Sequence, residues 1–69
     1  MDLKEIGELI KKRREFLNLR QADLSELSSV TIKTIHLVEQ GTSNPSFVTL
    51  SKLSEVLGLE ILLQVKKAN

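Results

Sequence analysis

The stretch QADLSELSSVTIKTIHLVEQG, residues 21–41, most constrains what this chain can fold into. It reads as two short helices separated by a tight turn, the second ending at a glycine. In the first run Ala22, Leu24 and Leu27 are the apolar positions of a helix of about eight residues, with Asp23 in the first turn, where negative charge suits the helix dipole. Ser28, Ser29 and Val30 then break the pattern. Thr31 can cap the next helix, because its hydroxyl can accept from a free amide of the first turn. Beyond it, Ile35 and Val38 point one way at a spacing of three, so Ile32, Lys33, His36 and Leu37 cannot all share that face. Some of them must look outward. Gly41 suits the left-handed residue that closes many helices.

The flanks supply more helix. Leu3, Ile6, Ile10 and Leu17 recur at helical spacing with Arg14 on the same face, which predicts a first amphipathic helix over roughly 3–17. Asn18 follows it and tolerates the left-handed conformation. Gly7 sits inside this helix at a cost of up to about 1 kcal/mol relative to alanine; close approach of a neighbouring helix explains it, as does simple tolerance. Lys11, Lys12, Arg13 and Arg14 are consecutive, so they spread around the helix and form no single patch. They read as a solvated helix end, except Arg14, whose place on the apolar face calls for a carboxylate partner, with Glu39 the candidate. After the central segment, Thr42, Ser43, Asn44 and Pro45 form a loop and Ser46 can cap a fourth helix. Phe47, Leu50, Leu53, Ser54 and Leu57 make its expected inner face, Val56 lies nearby, and Gly58 stops it.

The period then changes. Leu59, Ile61, Leu63 and Val65 alternate with Glu60, Leu62, Gln64 and Lys66, which predicts a strand; Lys67, Ala68 and Asn69 are expected to fray. A lone strand leaves unpaired amides and carbonyls, so it needs a partner outside its own chain. The simplest is the same segment of a second copy, antiparallel across a two-fold axis, with Leu59, Ile61, Leu63 and Val65 at the interface. A disordered tail or a further helix are the alternatives. The expected division is a domain over residues 1–58 and a dimerisation strand and tail over 59–69.

Composition narrows the function classes. Sixty-nine residues make one domain with a small core, for which oligomerisation is the natural supplement. With no cysteine and one histidine, neither a disulfide framework nor a metal cluster can be assembled, and no cofactor is expected. No nucleophile sits with a base and no glycine-rich phosphate loop is present, so an enzyme is a remote reading. The apolar runs are too short to span a bilayer and no leader pattern stands at the N-terminus, which predicts a cytoplasmic protein without a membrane partner. Ten Lys and Arg against nine Asp and Glu give a net charge of +1, so the distribution of charge, not its sum, must carry any polyanion argument.

A short helix, a tight turn and a second helix form the helix-turn-helix arrangement, whose second helix fits the major groove of duplex DNA. From residue 3 to 58 the sequence resembles the Cro/repressor-type (XRE-like) helix-turn-helix family. The residues that carry the resemblance are Gln21-Ala22-Asp23-Leu24, Thr31 to Glu39, Gly41, and Asn44-Pro45-Ser46. The resemblance implies an all-α fold, a compact four-helix bundle of the lambda-repressor-like kind. It implies base-reading positions at Ile32, Lys33, His36 and Leu37. It also implies phosphate contacts from Gln21, Thr31, Thr34, Thr42, Ser43, Asn44 and Ser46, and pairing of Arg14 with Glu39; Arg20, which departs from the family pattern, offers a further phosphate ligand. With its C-terminal strand, the chain further looks like the HipB-like antitoxins, which implies a dimeric repressor on a palindromic operator and a toxin protein as a further partner.

Some residues depart from the family pattern. Ser29 stands where glycine is usual in the turn, so the turn avoids a positive φ or forces a serine into it. Arg20 stands where a Ser or Thr cap is usual, at a cost of about 1 kcal/mol to the second helix. Ile32 and Leu37 cannot hydrogen-bond a base; they pack on thymine methyls, with Lys33 donating to guanine, or they fill the core beside Ile35 and Val38. Leu27 has no assigned place. The competing function is a protein-interaction module on the same helical scaffold, with Ile32 and Leu37 as its docking surface.

Overall fold

The computed structural model describes residues 1–67; Ala68 and Asn69, the end of the expected tail, lie outside the described residues. Four helices follow in order, α1 (Leu3–Phe16), α2 (Gln21–Ser28), α3 (Ile32–Gln40) and α4 (Phe47–Leu57). The fold is all-α, with α1 packed on α3 and α4, and α2 on the same two helices.

Local chemistry sets every boundary. Asp2 accepts from the Glu5 amide at 2.8 Å while its own amide donates to Glu5 Oε1 at 3.2 Å, a reciprocal cap at the start of α1. Thr31 and Ser46 cap α3 and α4 by accepting from the amides of Thr34 and Thr49. Three helices end alike: Asn18, Gly41 and Gly58 adopt positive φ of 59°, 72° and 69°. The amide after each, from Leu19, Thr42 and Leu59, donates to the carbonyl of Arg14, Leu37 and Ser54. This is the six-residue closure; after α1 and α4 the residue just past it, Leu19 or Leu59, is apolar and packs on the core, whereas Thr42 is exposed.

Ile10, Leu24, Val30, Ile35, Val38, Leu53 and Leu57 form the buried core, with Ile6, Leu19, Leu50, Val56 and Leu59 packed around it. Several expected interior positions lie elsewhere. Phe47 is 69% exposed, because it opens α4 ahead of the level at which that helix meets the others; the inner stripe begins at Leu50. On α2 only Leu24 of the three apolar positions is buried, Ala22 and Leu27 being exposed, while the small polar Ser28 turns inward. Leu3 and Leu17, at the two ends of α1, are also exposed.

The expected strand is not formed: residues 59–67 have no regular secondary structure. Leu59 is taken up by the closure of α4 and packs on the core, which removes the first residue of the alternating pattern. Ile61, Leu63 and Val65 remain exposed, and among the described residues no other segment is extended to pair with them. Arg13 is another departure. It does not simply extend into solvent: its Nε donates to the Leu57 carbonyl at 2.7 Å, and its guanidinium lies 5.1 Å from the Phe16 ring centroid. A cation thus meets the negative end of α4. No helix among the described residues is long and apolar enough to cross a membrane.

Candidate nucleic-acid interface

Helix α3 is held from behind by α1. At Gly7, a Cβ would run into the Val38 carbonyl oxygen and stand 2.9 Å from that of Glu39. The glycine is therefore explained by close approach, since the missing side chain lets the two backbones touch. Two turns along α1, Arg14 closes the contact. Its Nε and Nη2 donate to the two carboxylate oxygens of Glu39 at 2.7 and 3.0 Å, and Nη1 donates to the Leu19 carbonyl at 2.8 Å. The Arg14 and Glu39 side chains are 11% and 3% exposed. The hydrogen bond to Glu39 raises the Arg14 pKa against the opposing effect of burial, so the guanidinium stays charged. Such a pair is worth little against an apolar substitute of both partners, yet removing one partner strands a buried charge.

This docking decides which side of α3 is free. Ile35 and Val38 are fully buried, while Ile32, Lys33 and His36 are exposed and Leu37 is half-buried. The turn before α3 is tight: the Val30 amide donates to the Ser28 hydroxyl at 3.2 Å, and Ser29 takes a left-handed φ of 63°. A serine is thus forced into the conformation glycine adopts more cheaply.

The candidate phosphate ligands are not all free. Thr31 and Thr34 engage each other, the Thr31 hydroxyl donating to Thr34 Oγ1 at 2.9 Å. Arg20 is exposed, but its Nε and Nη2 donate to Asp23 at 3.1 and 2.9 Å, and its amide donates to the same carboxylate at 2.8 Å. Arg20 makes no side-chain cap hydrogen bond to α2; Asp23 supplies only the backward half of such a cap, accepting from the Arg20 amide. The hydrogen bonds from Arg20 hold the Asp23 carboxyl at about 2, well below its usual range. Thr42 donates to the Leu37 carbonyl at 3.4 Å. Ser46 spends its hydroxyl on Thr49, donating at 3.1 Å and accepting from the amide at 3.1 Å. Ser43 is half-buried and Asn44 exposed in the same loop.

Gln21, at the start of α2, donates from Nε2 to Glu39 Oε1 at 3.0 Å. Around this contact lies a small polar cleft lined by Lys11, Arg14, Gln21, His36, Glu39 and Gln40. Lys11 and Gln40 are the two residues that sequence reasoning missed. Lys11 carried a usable signal, since it lies three residues before Arg14 and shares its side of α1; Gln40 carried none. Every buried side-chain nitrogen and oxygen among the described residues has a hydrogen-bond partner, and no group of three His, Cys, Asp or Glu that could hold a metal ion occurs among them.

The model of the helix-turn-helix family matches residues 10–63. A protein of Methanococcus vannielii named as an HTH-type transcriptional regulatory protein is 38% identical over 56 residues, 81% of this chain. The chain spans only 17% of that relative's length. An uncharacterised HTH-type transcriptional regulator of Methanothermobacter thermautotrophicus is 36% identical over 52 residues, 75% of either chain. Among solved structures, the restriction-modification controller protein C.AhdI from Aeromonas hydrophila superposes with a TM-score of 0.79 at 31% identity, covering 84% of this chain and 88% of that one.

Proposed function

This chain belongs to the helix-turn-helix family, and from that premise we propose that it is a sequence-specific, double-stranded-DNA-binding regulator of transcription that acts as a homodimer. One observation carries the reading: α3 buries Ile35 and Val38 completely, yet leaves Ile32, Lys33 and His36 unpartnered on the opposite side. Gln21 stands at the edge of the same cleft as His36. A helix so docked and so exposed fits the major groove, with Lys33 toward guanine and Ile32 toward thymine methyls. Gln21, Asn44 and Ser43 contact backbone phosphates, which fix register and carry no sequence information themselves. Leu37, half-buried, contributes an edge at most.

The homodimer is supported by what the monomer leaves uncovered. Leu62, Leu63 and Val65 are 67%, 99% and 98% exposed, and a core of seven buried apolar residues among those described is small, so further burial would add to its stability. A second copy covering residues 61–65 supplies both needs and spaces two α3 helices about 34 Å apart on a palindrome. Repression by promoter occlusion follows from such a compact dimer. An antitoxin role rests on the tail and the small size of the chain alone; residues 59–67, without regular secondary structure here, add no support to it, so the proposal is limited to transcriptional control.

The test is selection of bound duplexes from a random pool, read with the dimer mass in solution. Enrichment of a palindrome, lost in Lys33→Ala with folding unchanged, is the expected outcome. No enrichment from the pool would transfer the exposed α3 face to the competing role of a protein-docking surface.

A further inference from the structure

We propose that Glu39 is a positioning residue for Gln21, fixing its amide so that a donor, and not an acceptor, faces the DNA backbone; this rests on the duplex-binding reading above. A glutamine amide has two ends of nearly equal shape, one donating and one accepting, and only its surroundings decide which points where. Here the surroundings are a carboxylate, which only accepts. Glu39 Oε1 therefore admits the Gln21 NH2 group, at 3.0 Å, and rejects its carbonyl. One Nε2 hydrogen is used by this contact and the second is left for a phosphate oxygen.

The carboxylate is itself immobile. Arg14 grips both of its oxygens and is anchored in turn on the Leu19 carbonyl. The Glu39 side chain is 3% exposed, and its backbone is pressed against Gly7. A rigid relay thus runs from Leu19 through Arg14 and Glu39 to Gln21, and it ends in the cleft that Lys11, His36 and Gln40 also line. In the first turn of α3, Ile32 is an alkyl side chain and can do no such orienting. Ordering a long side chain before binding lowers the entropy lost when the contact forms. The ion pair therefore reaches beyond holding α1 to α3.

The experiment is a double-mutant cycle on the duplex that the wild-type chain selects from the random pool. Gln21→Ala is expected to weaken binding about tenfold per protomer, the order of one hydrogen bond to a charged group. Arg14→Gln/Glu39→Gln, which removes both buried charges together, is expected to weaken it as much. Adding Gln21→Ala in that background then costs less than about twofold, because coupled sites are not additive. Glu39→Asp keeps the charge and withdraws the carboxylate by one methylene, serving as a second background should the neutral pair fold poorly. In nitrogen-15 spectra of the free protein, the Gln21 side-chain amide protons should be dispersed in the wild type and move toward free-glutamine positions in either background. Equal cost of Gln21→Ala in every background, or an amide signal that does not move, overturns the positioning role while leaving duplex binding intact. A wild-type chain that selects no duplex overturns the premise instead.

Discussion

Gly7→Ala sets two physical effects against each other. Inside a helix the substitution gains up to about 1 kcal/mol, because alanine loses less backbone freedom than glycine. At this position the added methyl meets α3: it collides with the Val38 carbonyl oxygen and lies 2.9 Å from the Glu39 carbonyl oxygen and 3.1 Å from its carbon. All three are backbone atoms, so no rotamer change relieves the contact and α3 itself must move. Overpacking typically costs about 1–3 kcal/mol. The upper end applies here, because any shift of α3 also stretches the Arg14–Glu39 hydrogen bonds of 2.7 and 3.0 Å. Subtracting the helix gain leaves a net loss of about 2 kcal/mol, which in a domain of this size lowers the melting temperature by roughly 10 °C. Urea and thermal unfolding followed by far-ultraviolet circular dichroism measure it directly. A variant that melts above the wild type would show that α1 and α3 are not in backbone contact, and would remove the reason given for how α3 is aimed.

Three further outcomes are expected. Ser29→Gly should raise the urea midpoint by the equivalent of about 0.5–1 kcal/mol, since a left-handed φ of 63° strains a serine more than the lost chain entropy costs a glycine. Asp23→Asn should lower the melting temperature at neutral pH. The Asp23 carboxyl titrates at about 2 when folded against 3.8 ordinarily, so its contribution is complete above pH 3.8 and fades as pH falls toward 2; the gap between wild type and variant should close over that window. Phe47→Ser should change stability by less than about 0.5 kcal/mol, despite the helical spacing that puts it in line with Leu50 and Ser54. Leu53→Ala should cost about 2–5 kcal/mol, and chemical denaturation of the two variants side by side separates them.

The four helices were legible because their boundaries are written in residues a few positions apart. Thr31 and Ser46 cap with hydroxyls of their own, and Asn18, Gly41 and Gly58 turn the chain through positive φ. The buried pair of Arg14 and Glu39 was approachable for a different reason: a cation on an apolar face demands an acid, and few were placed to supply one. The interface was legible only in outline. Periodicity showed only that Ile32, Lys33, His36 and Leu37 cannot all share the stripe of Ile35 and Val38, and left Ile32 and Leu37 open; the engagement of Arg20 with Asp23 and of Thr31 with Thr34 was not anticipated. Those are short-range contacts that compete with the solvent-facing roles the same residues could play.

By itself, then, the sequence determined where each helix starts and stops and which face of α3 is buried, because capping and a 3.6-residue period are local properties of the chain. What only the tertiary structure decided depends on how far neighbouring helices reach. Phe47 and Leu27 are left outside because nothing extends to cover them, and Leu59 is drawn inside by the closure of α4. Arg13 finds the last carbonyl of a helix 44 residues away. Gln21 finds Glu39 because α2 packs against α3, a distance that no run of neighbouring residues encodes.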